Sequence, residues 1–191
     1  MSRYSEGQTH QLMEALQAKG FTPEEVTMLG QYPKLGDFRS VLNGQAEIKM
    51  TEHVINLDAD PFVPDGWRVE KHQKGGGLFK WDPKKVRFYL SKSQLNGKVI
   101  KGKELHAELE GKPVLNANVL DYLFAHPYLI PEEWKRDERG NTRNISFWGT
   151  KYSLPGCYVI RCLYWNGDTW SWGYIWINSI WLDSSPAALR D

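Results

Sequence analysis

The side chains able to do chemistry in this chain are scattered. Its five histidines, His10, His53, His72, His106 and His126, stand far apart, with no His-Glu-x-x-His spacing to seat a metal. There is no Gly-x-Ser-x-Gly elbow, no P-loop and no Rossmann glycine pattern opening a helix. Gly75-Gly76-Gly77 follows Lys74 but runs on into Leu-Phe-Lys-Trp-Asp-Pro, so no helix N-terminus waits behind it for a phosphate. Asp58 and Asp60, with His53 nearby, are acid/base or hard-metal chemistry on paper. Placed around an alanine just before Pro61, they read as a loop. Cys157 and Cys162 lie five residues apart in what reads as one strand, so they point to opposite faces and do not bridge each other. Two cysteines are too few for a cysteine zinc site. No catalytic residue, metal set or cofactor is expected from these patterns, and an enzyme would need a site assembled from distant residues.

Charge is the stronger signal. Lys plus Arg number 24 and Asp plus Glu 23 over 191 residues, a net charge of +1. That balance hides an uneven map: residues 67–105 hold eleven Lys/Arg against Glu70, Asp82 and Glu104, between two acidic flanks. Within it Lys71, Lys74, Lys80, Lys84, Lys85 and Arg87 interleave with Trp67, Phe79, Trp81, Phe88 and Tyr89. Lysines suit phosphate as mobile charges, and aromatic faces stack on unpaired bases. These six cations are the candidate phosphate contacts and Trp81 the candidate stacking residue, with single strands favoured over duplex.

Aromatic content is the second signal. Of nine tryptophans, six fall late in the chain: Trp148, Trp165, Trp170, Trp172, Trp176 and Trp181. From Ile145 the hydrophobic period becomes two, giving strands near 146–148, 158–165 and 170–177, the last two joined through Asn166-Gly167-Asp168-Thr169. Along the last strand Trp170, Trp172, Tyr174 and Trp176 share one face. Both faces of this sheet carry apolar residues. Either helices cover both, or one face binds a peptide, a glycan or a second copy.

The elements that must position these groups follow from local signals. Residues 1–46 read as three short helices. Thr22, Pro23 and Glu25 supply a capping box with proline at the first helical position, and Gly20, Gly30 and Asn43-Gly44 supply stops. A strand is expected at 53–57, another at 86–90 and a third at 99–100, with Asn96-Gly97 as a hairpin turn between the last two. Leu105 and Leu109 mark a short helix. Asn118 is placed to cap a better one carrying Val119, Leu120, Leu123 and Phe124. No apolar run reaches the roughly 18 residues of a membrane span. The polar opening Met1-Ser2-Arg3-Tyr4-Ser5-Glu6 lacks a secretory h-region, which points to the cytoplasm.

Several phrases stand in order along the chain: His53-Val54-Ile55 with Asp58-Ala59-Asp60-Pro61-Phe62, then Gly66-Trp67, then Lys74-Gly75-Gly76. They continue as Lys112-Pro113-Val114-Leu115-Asn116-Ala117-Asn118-Val119-Leu120-Asp121-Tyr122-Leu123, Ile130-Pro131-Glu132-Glu133-Trp134-Lys135 and Phe147-Trp148-Gly149-Thr150. From about Glu47 to Ala187 the chain therefore resembles a widespread bacterial family that carries no assigned activity. The resemblance implies a bacterial source and one folding unit over 47–187. The expected class is α+β: a helical unit at 1–46, then an α+β domain at 47–191 with a basic middle and a C-terminal three-stranded antiparallel Trp-rich sheet at 145–182. The expected role is a non-catalytic binding protein. Nucleic acid is the favoured ligand, a protein interaction through the Trp-rich sheet the alternative, and an enzyme third.

Overall fold

In the computed structural model, which describes residues 3–49 and 51–191, Thr22 and Glu25 form the reciprocal capping box that their spacing demands. Met1, Ser2 and Met50 lie outside the described residues. The chain divides into two compact units, residues 1–51 and 52–191. In the first, α1 (Glu6–Ala18) is capped by a second box, Ser5 with Gln8. Then come α2 (Pro23–Gly30), a 3-10 turn at Leu35–Asp37, and α3 (Phe38–Leu42). None of these helices holds a buried residue.

The second unit is built on β1 (Val54–Asn56), β2 (Arg68–His72), β3 (Leu78–Lys80), β4 (Val86–Tyr89) and β5 (Ile100–Lys101). Helices α4 (Gly102–Leu109) and α5 (Ala117–Ala125) follow. The chain closes with β6 (Ile145–Leu154), β7 (Cys157–Trp165), β8 (Trp170–Trp176), β9 (Ile180–Trp181) and β10 (Ala187–Arg190). This is the expected α+β class, but the C-terminal sheet is larger than three strands. Its order is β4-β10-β6-β7-β8, with β2 also on β6, and the β10–β6 pair is parallel. β1–β3 and β5–β9 make two small antiparallel pairs.

Helices pack on both faces of the large sheet. On one face Val119, Leu120 and Leu123 of α5 pack with Ile145, Phe147, Leu163, Trp170 and Ala188, with Ile55 and Phe79 from the β1–β3 pair, and with Trp81 just beyond β3. On the other, Leu105 and Leu109 of α4 pack with Trp148, Ile160, Trp181, Ala187 and Leu189. The alternation of inward residues along β6, β7 and β10 divides the two cores.

Two local expectations give way to distant partners. Asn96 and Gly97 both adopt positive φ (58° and 75°), as a tight turn requires, yet β4 and β5 do not form a hairpin. A 3-10 turn (Lys92–Gln94) capped by Ser91 intervenes, and the buried Gln94 side chain donates to the Leu182 carbonyl. That diverts β5 to β9, while β4 takes β10. Nor does Asn118 cap α5, because its amide donates to the Asn56 and Ala59 carbonyls. The first helical N–H, of Ala117, is taken by Thr150 Oγ1 at 3.0 Å.

Thr150 reaches α5 because β6 is bulged. Ser146 pairs with Cys162 and Lys151 with Ile160, so Phe147–Trp148–Gly149–Thr150 stands opposite Arg161 alone. Gly149 crosses Asn116 so closely that a Cβ would meet the Asn116 Cα at 2.9 Å, which excludes any larger residue without a backbone shift.

Candidate functional site

β8 is an edge strand of the six-stranded sheet, and its geometry follows from the turn that launches it. Asn166 Oδ1 accepts from the N–H groups of Asp168 and Thr169, closing the β7–β8 loop. Asn166 N–H then donates to the Thr169 carbonyl at one end of the ladder, and Ile177 N–H donates to the Tyr158 carbonyl at the other. Narrow and wide pairs alternate in an antiparallel ladder. Ser171, Gly173 and Ile175 therefore turn their backbone groups toward β7. Trp170, Trp172, Tyr174 and Trp176 turn theirs to the open side. Of these outward groups, the Trp176 carbonyl accepts from Ser179 N–H within the chain.

The side chains of the same four residues lie on the α5 face, as the period-two pattern requires, opposite Trp165, Leu163, Arg161 and Val159. Their burial grades along the strand. Trp170 is buried, Trp172 half-buried, and Tyr174 and Trp176 are 46% and 53% exposed. Trp67, before β2, meets Tyr174 edge-on at 5.1 Å and Trp172 at 6.3 Å. Phe62 is exposed beside them. The six late tryptophans thus have different fates: Trp148, Trp170 and Trp181 are core, Trp165 and Trp172 half-covered, and Trp176 is surface.

Under the aromatic face lies a charged pair that sequence reasoning missed. Arg161 is 1% exposed on β7, and its guanidinium donates to both Asp121 oxygens on α5 at 2.7 and 3.0 Å. Its Cζ sits 4.3 Å from the Trp172 ring centre and 5.4 Å from that of Phe62. Burial pushes the Asp121 carboxyl above its usual range, opposed by the Arg161 hydrogen bond and charge. The signal was present in sequence as one Arg inside the apolar run Val159-Ile160-Arg161-Cys162-Leu163. A cation there must find a carboxylate from elsewhere.

The basic candidates divide by their neighbours. Lys74 pairs with Asp60 at 2.8 Å, Lys80 with Glu52, and Arg87 with Asp191 at 3.0 Å. Carboxylates from outside the basic segment therefore neutralise half of the candidate set. Lys71 on β2, and Lys84 and Lys85 in a 3-10 turn (Pro83–Lys85), are in no ion pair among the described residues. Lys71 stands directly across the ladder from Lys151. Trp81 is corrected outright. It is 9% exposed, its Nε1 donates to the Leu129 carbonyl, and its ring is wedged edge-on between Phe79 and Trp134. A ring so enclosed offers no face to a base.

The residues that raised metal or phosphate chemistry are engaged otherwise. Asp58 accepts from all three glycine N–H groups, Gly75 and Gly76 on Oδ1 and Gly77 on Oδ2. The glycine loop is an anion nest whose anion is the chain's own carboxylate. Asp60 holds Lys74, and His53 Nδ1 bonds the Tyr122 hydroxyl. Among the described residues no three His, Cys, Asp or Glu side chains lie together as a metal set. Cys162 is buried, which pushes its thiol up to about 12, and Cys157 is a free thiol on the same strand. No helix among the described residues is long and apolar enough to cross a membrane. Comparisons with protein-family models, curated proteins and solved structures give no match to this chain.

Proposed function

We propose that this chain is a non-catalytic binding module that holds an extended protein strand along β8. The observation that carries the reading is the open edge itself. β8 has outward backbone donors and acceptors, and its sequence Trp-Ser-Trp-Gly-Tyr-Ile-Trp contains no charge and no proline. Natural edge strands are normally protected by lysine, proline, bulges or a covering element. An edge without those devices, backed by a half-exposed aromatic face, is suited to strand addition. Main-chain bonds then give affinity, and Trp172, Tyr174 and Trp176 give selectivity.

The test is selection of displayed peptides of roughly ten residues on the intact protein, followed by amide NMR. Retained peptides are expected to shift and protect the amides of Trp172, Tyr174 and Trp176 while leaving those of Ser171, Gly173 and Ile175 nearly unchanged. Failure to retain any peptide at about 100 µM protein, or shifts confined to other elements, would end this reading.

The cations outside ion pairs support a second reading, nucleic-acid binding through phosphates. Lys71 and Lys151 placed directly across a ladder repel each other, a cost that a bound anion would offset. With Trp81 inside the core, no preference for single strands is expected. Contact through Lys71, Lys84 and Lys85 would give duplex DNA a log–log salt slope of about −3, and Lys71→Ala would flatten it by about one unit. Absence of binding to any DNA or RNA at low salt and micromolar protein removes this reading.

A further inference from the structure

Resting on the strand-binding reading of β8, we infer that the partner this edge fits is a second copy of the chain, paired β8 to β8, antiparallel, about a two-fold axis at Gly173. The strand runs from Trp170 to Trp176, so Gly173 is its midpoint. In that register Trp172 lies opposite Tyr174 of the partner subunit, and Trp170 opposite Trp176 of the partner subunit. These are the residues whose backbone groups turn outward. Trp172 and Tyr174 therefore meet their counterparts as hydrogen-bonded pairs, exchanging both N–H···O bonds. At the ends, Trp176 N–H reaches the Trp170 carbonyl of the partner subunit. The Trp176 carbonyl keeps its internal bond to Ser179.

The axis falls on a non-hydrogen-bonded pair, where Cα atoms approach most closely, about 4.5 Å in an antiparallel ladder. Glycine from both subunits at that point leaves the approach unobstructed. A shift of one residue would face the outward groups of one strand with the ladder-bound groups of the other, so the two-fold register is set by hydrogen-bond phase as well as by side chains.

Charge agrees with this occupant. Between residues 162 and 182 the one charged residue is Asp168, and it lies in the β7–β8 loop, outside the strand that pairs. No like charges meet and no ion is buried, whereas a charged partner strand would find no counter-ion on β8. Aromatic cross-strand pairs of the Trp172–Tyr174 kind are among the more favourable on a sheet. The two six-stranded sheets would then run as one sheet across the axis. The arrangement is isologous, and it covers the edge of each subunit.

The experiment is sedimentation equilibrium of the full chain from about 1 to 300 µM, with amide exchange measured at both ends of that range. The expected result is a reversible monomer–dimer equilibrium in the micromolar range, with Trp172 and Tyr174 amides protected only at high concentration. Two variants leave the ladder to β7 intact. Tyr174→Pro removes an outward N–H, a placement an edge strand tolerates, and Trp176→Lys puts a charge on an exposed position. Each is expected to weaken the dimer by about tenfold or more, with an unchanged urea midpoint for Trp176→Lys confirming the fold. A chain that stays monomeric at the highest concentration overturns the inference, as does a dimer indifferent to both variants. If that monomer still retains displayed peptides on β8, strand binding stands and only the second copy falls. If it retains none, both fall together.

Discussion

Arg161→Ala is expected to destabilise the 52–191 unit by about 3–5 kcal/mol, because it strands a carboxylate rather than merely deleting a contact. Asp121 is held in a protein environment that already pushes its carboxyl upward, and Arg161 supplies the opposing hydrogen bonds. Without the guanidinium the carboxylate must ionise against burial or take up a proton. The packing of the guanidinium against Trp172 and Phe62 is lost as well. Arg161→Lys should recover little, since an ammonium can neither span both oxygens nor lie flat on an indole. The informative control is the double change Arg161→Met with Asp121→Leu, which removes both charges and keeps volume. It should regain most of the loss, as apolar replacements of buried ion pairs commonly do. Urea unfolding monitored by tryptophan fluorescence measures all three. A single-variant loss under about 1 kcal/mol would mean that the pair is solvated and that the α5–β7 junction is held by packing alone.

Trp181→Ala carries the other large effect, again about 3–5 kcal/mol. The ring is 1% exposed and lies tilted against Trp148 with centroids 4.7 Å apart. A Cβ built on Gly102 would stand 2.4 Å from Trp181 Nε1, so α4 begins directly on the indole. Removing the ring leaves a large void beneath Leu105 and Leu109 that the rigid start of α4 cannot follow inward. Trp176→Ala is the contrasting measurement on the neighbouring segment. More than half exposed, it should change stability by no more than about 0.5 kcal/mol. Equal losses at the two positions would contradict the division of the tryptophans into core and surface.

What the sequence reveals here is what a few neighbouring residues decide. The Thr22–Glu25 box needs only three intervening bonds of helix, and it forms. Asn166-Gly167 closes the β7–β8 hairpin, and the period-two pattern puts Trp170, Trp172, Tyr174 and Trp176 on one face. A two-residue period reports faces and is silent on neighbours. It therefore could not show that β8 would be an edge, that β2 would lie on β6, or that Ala187–Arg190 would be a strand at all. Side-chain fate at the candidate site was hidden for the same reason. Lys80, Lys74 and Arg87 look free in a list of residues because Glu52, Asp60 and Asp191 arrive from other segments. Trp81 looks like a stacking residue until Trp134, more than fifty positions later, closes over it.

The four residues of β10 bear on the order in which the unit assembles. Ala187, Ala188 and Leu189 are fully buried, and the strand is hydrogen-bonded to β4 on one side and β6 on the other. Ala188 belongs to the α5 core, while Ala187 and Leu189 belong to the α4 core. β4 precedes it by about a hundred residues, so the loop closed by that pairing takes in well over half of the unit. Neither core can seal before this tetrapeptide arrives. The β6–β7–β8 meander can form early from local contacts, but β4 has no strand to join until the end. High contact order of this kind makes for slow folding, and it leaves apolar sheet surface uncovered during the wait. The rate-limiting event in refolding is thus expected to be a late zippering of the interior strand between two waiting edges, with both hydrophobic layers consolidating in that single step.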